Sequence, residues 1–452
     1  MERGTTPPPD YNPAPEPKPP TGRLGRRSPG TAPGPLLRGK RGSLRDGYCG
    51  SFLGGGRVKR EQALYRRALG LSAEIQRHRR WLHQHPELSF QEHRTAAYIR
   101  EVLRQLGIPY TTTATTGTLA TIGTGERRVV LRADIDALPI VEQTGLPFAS
   151  EHEGIMHACG HDMHTAMLLG AAALLKEREA ELPGTVLVLF QPGEEQLPGG
   201  ASRVLAEGAL DETAPIAVFG QHVLPELPVG SIAIAAGPIF AGTDELYWRF
   251  RAAGGHAAQP QQTGDPIVAA ASFICQAQTL ISRRRDPLTP AVLSITAIHG
   301  GSATNIIPPE VQLQGTLRSF DQKWRQEALD WLRQTTESLA ALHGVEATLE
   351  VRAGYPPLIN DEQATELVRE VALELLGSDH IVPFRPVMWA EDFAYYSQRF
   401  PAAFWLLGVR PPEQQTMPGL HHPSFAPDER ALPIGAALLA AVAWRTLEIS
   451  AL

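Results

Sequence analysis

Two kinds of apolar pattern alternate along this chain. Leu64, Ala68, Leu71, Ile75 and Leu82 recur at helical spacing over residues 61–83, and Pro86 stops the run. Further helices are expected over about 91–105, 163–178 and 431–447, the last strongly apolar. Short unbroken apolar runs read instead as buried strands: Val129–Leu131, Val186–Phe190 and Ile216–Phe219. Each ends in polar residues, namely Arg132, Asp134 and Asp136, then Glu194-Glu195, then His222. Buried strands alternating with helices predict an α/β fold with a mixed, largely parallel sheet flanked by helices. Ligands of such sheets sit beyond the carboxyl ends of the strands.

The texture changes near residue 242. Strands at Leu246–Ala252, Ala291–Ile298, Val311–Phe320 and Glu346–Val351 interleave with helices at about 265–283 and 322–343. This β-α-β-β-α-β order predicts an inserted ferredoxin-like α+β domain. The division is a tail over 1–60, a main domain over 61–241 and 353–452, and an insertion over 242–352.

Composition refines this picture. With 452 residues, 42% hydrophobic and 20% charged, the chain has an ordinary globular balance. The formal net charge of -6 hides an asymmetry: residues 1–60 carry 12 basic against 4 acidic residues. The remaining 30 basic and 44 acidic residues give the body a net of -14, which disfavours nucleic acid as a partner. Residues 1–60 also hold 11 of the 39 prolines and 12 of the 42 glycines, so they are expected to be a disordered tail. Gly34–Lys40 within it is Walker-A-like, but it lacks the hydroxyl residue, strand and helix that motif needs. No stretch approaches the roughly 18 unbroken apolar residues of a membrane span. Three cysteines, Cys49, Cys159 and Cys275, show no disulfide framework, so a reducing, cytoplasmic location is expected.

The densest chemistry lies between His157 and His164, where His157, Cys159, His161, Asp162 and His164 crowd together. Thiolate and imidazole suit borderline-soft divalent metals, and a Cys-Gly-His turn lets both side chains converge. A nucleophilic Cys159 with a histidine partner is a rival reading. Glu194-Glu195 follows a Pro-Gly turn at a strand end; one carboxylate could ligate a cation while the other faces a reacting water, or both could be a solvated loop. Asp134 and Asp136 share a face at period two, and Asp136 suits orientation of a metal-bound histidine. His222, His256 after a glycine turn, and the pair His421-His422 complete the candidates. No H-E-x-x-H, G-x-S-x-G or strand-borne G-x-G-x-x-G string is present.

Seven ordered strings then match a known family: Leu131–Pro139, Met156–Asp162, Phe190–Glu195, Gly255–Ala258, Thr304–Pro308, Gly315–Arg318 and Glu391–Phe393. Over about residues 70–450 the chain resembles the dinuclear metallopeptidase family of aminoacylases and carboxypeptidase G. It is most similar to the amidohydrolase branch of hippurate hydrolases, indole-3-acetyl-amino-acid hydrolases and N-acyl-amino-acid amidohydrolases. The resemblance implies a zinc-exopeptidase-like catalytic domain and hydrolysis of small N-acyl-amino acids by metal-activated water. It implies two divalent ions per subunit, Mn²⁺ or Zn²⁺, on Cys159, His161, Glu195, His222 and His421. His421 is preferred to His422 because the family ligand stands two residues before the proline. Glu194 takes the place of the general base, and Asp136 a supporting role. His256 corresponds to a lid histidine that reaches an active site across a dimer interface, while Asn305 and Arg318 correspond to lid positions that hold substrate. A homodimer through the inserted domain is implied as well. Ala252-Ala253 depart from the Gly and basic residue that often precede this Gly-Gly-His. Dipeptidase or carboxypeptidase action on the same fold, or a non-catalytic metal or metabolite binder, are the other readings.

Overall fold

The computed structural model describes residues 54–211 and 214–449. Most of the expected tail, with Cys49 and the Gly34–Lys40 string, lies outside these residues. The chain is already helical at Gly54, so the boundary at residue 60 is too late. Leu64 and Ala68 bury this helix against the core, and Arg60 bonds Glu448 at 2.8 Å. Once a helix is nucleated, each added residue gains a hydrogen bond, which carries it outward from that anchor. The single helix expected over 61–83 is two, Gly54–Gly70 and Ser72–Gln84. Gly70, a poor helix former, precedes Leu71 at φ -93° and ψ 1°, where the chain leaves the helical path.

The larger sheet has eight strands. Four central parallel strands run in the spatial order Thr185–Gln191, Arg128–Asp134, Ala217–Pro228, Ala402–Arg410. Antiparallel partners flank them: Gly117–Ile122 on one side and Ile232–Ile234 on the other. Both faces are covered, which is why the central strands read as continuous apolar runs. The helical stretch Glu429–Glu448, which ends in helix Leu432–Glu448, is long and apolar enough to cross a membrane, yet 94% of its apolar window is buried inside the protein. It packs instead against helix His161–Lys176 beneath the sheet.

The Ala217–Pro228 strand runs well past the expected end, so His222 sits within it rather than at its terminus. Its first residues pair with Val129–Arg132, and its later residues continue along Ala402–Arg410, with His222 opposite Leu406. The Arg128–Asp134 strand, conversely, stops at Asp134, leaving Asp136 in the following loop and not on a shared strand face.

The second sheet lies between Gly242 and Ala353 and is antiparallel throughout. Its order is Ala291–His299, Glu310–Ser319, Gly242–Arg251, Glu346–Ala353. Helices Pro266–Thr279 and Gln322–Leu342 cover one face, sealing Leu246, Trp248, Phe250, Leu313 and Leu317. Asp265 and Asp321 cap those helices through their carboxylates. The opposite face carries Thr243, Glu245, Tyr247, Gln314, Thr316 and Arg318, and it forms one wall of a cavity against the larger sheet.

Candidate metal centre and cavity

The cavity has a volume of about 820 Å³. Cys159, Glu194, Glu195, His222 and His421 lie on its main-body side. These residues come from the loops after parallel strands or, for His222, from a strand itself, so the sheet brings distant parts of the chain to one edge.

Cys159 and His161 are placed by the turn between them. Gly160 has φ +89°, a conformation open to glycine, and a Cβ there would lie 2.5 Å from Val223 Cγ2. Helix His161–Lys176 then starts at once, giving His161 and His164 the same face. The His161 Nδ1–H donates to the Asp136 carbonyl at 2.9 Å, and Asp136 Oδ1 lies 3.2 Å from the same nitrogen. This leaves Nε2 as a lone pair, buried without a hydrogen-bond partner. His222 is set the same way: Nδ1–H donates to the Val223 carbonyl at 2.8 Å, and Nε2 faces Cys159 Sγ at 3.3 Å.

Asp136 ties two parts of the site together. Besides His161 it accepts the Ser89 hydroxyl at 2.7 Å and the Glu195 N–H at 2.9 Å. The Gly193 turn at φ +61° delivers Glu194 and Glu195 from the strand end. Glu195 Oε1 is a second buried atom without a hydrogen bond, and it stands 3.2 Å from His421 Nε2. His421 itself adopts φ +61°, and its N–H donates to the Ala158 carbonyl at 2.8 Å beside Cys159. His422 Nδ1 accepts the Ser424 N–H and takes no part in the cavity wall.

Two triads of ligand atoms contain Cys159, Cys159–His161–His222 and Cys159–Glu195–His421, each with all atoms within 4.8 Å of one another, and His161 also groups in this way with Glu194 and Glu195 and with Asp134 and His164. Unpartnered buried imidazole and carboxylate atoms beside a thiol fit divalent cations on chemical grounds. His161 responds to its surroundings without a cation: burial opposes protonation, but Asp134, Asp136 and Glu195 outweigh it and push its pKa up to about 10. Burial, then Glu195 and Glu194, raise the Cys159 thiol well above its ordinary value. A nucleophilic cysteine needs the reverse, an electropositive pocket, so the Cys159–His222 contact is a poor catalytic pair and a good ligand pair.

Two other residues of the dense cluster, His164 and Asp162, have structural partners. His164 donates from Nδ1 to Asp134 at 2.6 Å and accepts the Val223 N–H on Nε2 at 3.0 Å, which commits both nitrogens. Asp162 binds Arg79 and His83, each at 2.9 Å. His157 is buried with neither ring nitrogen bonded, and burial pushes its pKa down to about 4.

Glu194 stands apart from the ligand atoms in character. Burial first, then Glu391, Glu195 and Asp392, raise its pKa well above the usual carboxylate range. The Tyr355 hydroxyl donates to its carbonyl at 2.5 Å and fixes its backbone. Beneath it, Arg132 pairs with Asp134, Asp392 and Glu391 at 2.7, 2.6 and 3.0 Å. The three carboxylates Glu194, Glu391 and Asp392 also cluster, but this guanidinium already compensates two of them. Glu391 stood in the matched Glu391–Phe393 string, whereas Tyr355 and Trp389 of the cavity wall carried no signal in the sequence, because loops bring them in from the far end of the chain.

Of the expected substrate residues, Arg318 lines the cavity, half-buried, with Nη1 donating to the Met388 carbonyl at 2.8 Å. His256 and Asn305 do not. His256 is exposed on a separate two-stranded ladder, Gly255–His256 with Ile306–Ile307, and Asn305 is exposed in the turn just before Ile306, both away from the cavity wall of their own chain.

The chain as a whole has known relatives. Residues 130–445 match peptidase family M20/M25/M40. The chain belongs to that family. This M20 chain is 43% identical over 358 residues to an N-acetyl-L-cysteine deacetylase of Bacillus subtilis, covering 78% of the chain and 83% of that relative. It is 39% identical to IAA-amino acid hydrolase ILR1-like 4 of Arabidopsis thaliana, over 82% of the chain and 84% of the relative. A Bacillus subtilis crystal structure described as a dinuclear metal-binding peptidase of family M20 superposes with TM-score 0.73 at 37% identity, over 84% of this chain and 99% of that one. The M20 chain is thus a hydrolase of amide bonds with a zinc-exopeptidase fold, and its candidate ligand groups fit metal.

Proposed function

We propose that this chain hydrolyses N-acyl-amino acids to a carboxylic acid and a free amino acid, with two divalent cations held by Cys159, His161, Glu195, His222 and His421. The observation that carries this reading is the pair of buried atoms without a hydrogen bond, His161 Nε2 and Glu195 Oε1, grouped with Cys159 beside Glu194. When bound, the cations supply Lewis-acid polarisation of the amide carbonyl and a lowered pKa for water. Glu194 accepts the proton of the attacking water and passes it to the departing amine nitrogen. Tyr355 holds the Glu194 backbone while this occurs. Arg318 receives the substrate carboxylate: it has no ion-pair partner among the described residues, and its planar fork keeps N–H groups free beyond the one given to Met388. Its half-buried position makes that charge costly to leave unpaired, as its lowered pKa by desolvation reflects.

The thiol and imidazoles favour Zn²⁺ by softness, while Glu195 with imidazole also accepts Mn²⁺. His256 and Asn305 serve through a second copy, as a homodimer formed by the Gly242–Ala353 region, where His256 would reach the partner's cavity and stabilise the oxyanion.

The test is a panel of N-acyl-amino acids and dipeptides assayed with purified protein as isolated, after chelation, and after return of Mn²⁺, Zn²⁺ or Co²⁺. Metal-restored release of amino acid from the acyl derivatives is expected. Glu194→Gln should lower kcat by about 10²–10⁴ with metal content unchanged. Exclusive turnover of dipeptides would move the reading to a peptidase.

A further inference from the structure

Trp389 is set at the cavity in an unusual state. It is 42% exposed, and among the described residues it is the large apolar side chain that is both exposed and part of this wall. Its position is fixed. The Trp389 carbonyl accepts the Ala241 N–H at 2.9 Å, and the Val387 N–H donates to the Ile239 carbonyl at 3.1 Å. The indole lies 5.9 Å from the ring of Phe240, which is itself 4% exposed and backed by Phe404. A rigid, supported aromatic face open to a cavity is a surface that gains from being covered.

Its neighbour says what covers it. The residue before it, Met388, accepts one N–H of Arg318. A carboxylate on the remaining N–H groups of Arg318 is therefore held beside the Met388–Trp389 peptide. In an amino acid the carboxylate and the side chain branch from one carbon. A substrate carboxylate on Arg318 thus carries its own side chain to the indole, whereas the acyl group extends toward Glu194 and the metal ligands. We infer that Trp389 is a specificity-determining residue for the released amino acid, and that the side chain it selects is aromatic or large and apolar. This rests on the amidohydrolase reading above and names the substrate class within it.

The experiment compares kcat/KM of the metal-loaded enzyme for the glycine, alanine, leucine, phenylalanine and lysine members of an N-acetyl and an N-benzoyl series. The phenylalanine derivative should exceed the alanine derivative by roughly tenfold or more in whichever acyl series is turned over. Trp389→Ala should shrink that ratio by roughly tenfold, and Trp389→Phe should keep most of it, with melting temperature and metal content matched to wild type. A wild-type ratio at or below unity, a preference for lysine, or a ratio unmoved in Trp389→Ala overturns the inference and leaves the amidohydrolase reading intact. The wild-type ratio decides without any variant should Trp389→Ala misfold. No turnover of any derivative by protein shown to hold metal overturns that reading, and the inference with it.

Discussion

His222 Nε2 lies 3.3 Å from Cys159 Sγ, with the imidazole proton committed to the Val223 carbonyl on the far side. The lone pair and the sulfur thus face one another. Cys159 also belongs to the triad with Glu195 and His421, whereas His222 belongs to one triad only. Cys159→Ala should therefore weaken both cation sites, by more than the roughly 10–100-fold seen for outer-shell changes, while His222→Ala weakens one. Metal content after dialysis against buffered metal, read by elemental analysis, separates the two. Equal loss in both variants would show that the sites do not divide in this way.

Gly160 cannot carry a side chain without cost. A Cβ would press on Val223 at 2.5 Å, and φ is +89°. Gly160→Ala should lower unfolding free energy by about 1–3 kcal/mol from backbone strain, with steric displacement in addition. Because Cys159 and His161 flank it, the folded fraction should also bind metal less tightly. Chemical denaturation of the metal-free protein isolates the first effect.

His83 is clamped between two carboxylates, with Nδ1 at 2.9 Å from Asp162 and Nε2 at 3.2 Å from Glu142. Burial opposes its charge, but Asp162 and Glu142 outweigh burial and raise its pKa above the ordinary value. A raised folded-state pKa contributes stability that is complete below the unfolded value of about 6.5 and is lost as pH rises through the folded one. The stability difference between wild type and His83→Gln should thus be larger at about pH 6 than at about pH 9. Thermal melts of both proteins across that range check it, and an unchanged difference would mean that folding leaves the His83 pKa unshifted.

Glu194 lines the cavity, while His256 of the same chain stands on an exposed ladder outside it. If a second copy supplies His256, Glu194→Gln and His256→Ala are each inactive yet complement one another. Mixed and exchanged, half of the dimers are hybrid and carry one intact site in two, so activity should recover to about a quarter of wild type. No recovery after demonstrated subunit exchange would confine His256 to its own chain.

The parts of this molecule visible in its sequence share a physical cause. Val129–Leu131 and Val186–Phe190 are apolar without a break because helices cover both faces of a parallel sheet, and the polar residues that follow them gather at one edge. Cys159 and His161 could be paired because one glycine turn separates them. What stayed hidden depends on the return of the chain. Trp389 and Tyr355 sit in irregular segments with no period, and only the pairing of Ala402–Arg410 with Ala217–Pro228 brings that half of the protein back to the site. The extension of the strand past His222 was equally invisible, since it depends on a partner strand about 180 residues away. The break at Leu71 was missed because apolar spacing records which positions are buried and not whether the backbone between them stays helical.

The strict alternation along Gly242–Arg251 and Glu310–Ser319 divides those strands by parity. Leu246, Trp248, Phe250, Leu313 and Leu317 hold the sheet to its helices, while Thr243, Glu245, Tyr247, Gln314 and Thr316 look into the cavity. Replacing a core member such as Trp248 by alanine would cost about 3–5 kcal/mol, but none of the cavity-facing side chains contributes to that packed layer. Retargeting the enzyme to new amides by directed evolution therefore has a ready-made set of positions: five sites on one wall that can be varied together without opening the layer packed against the helices.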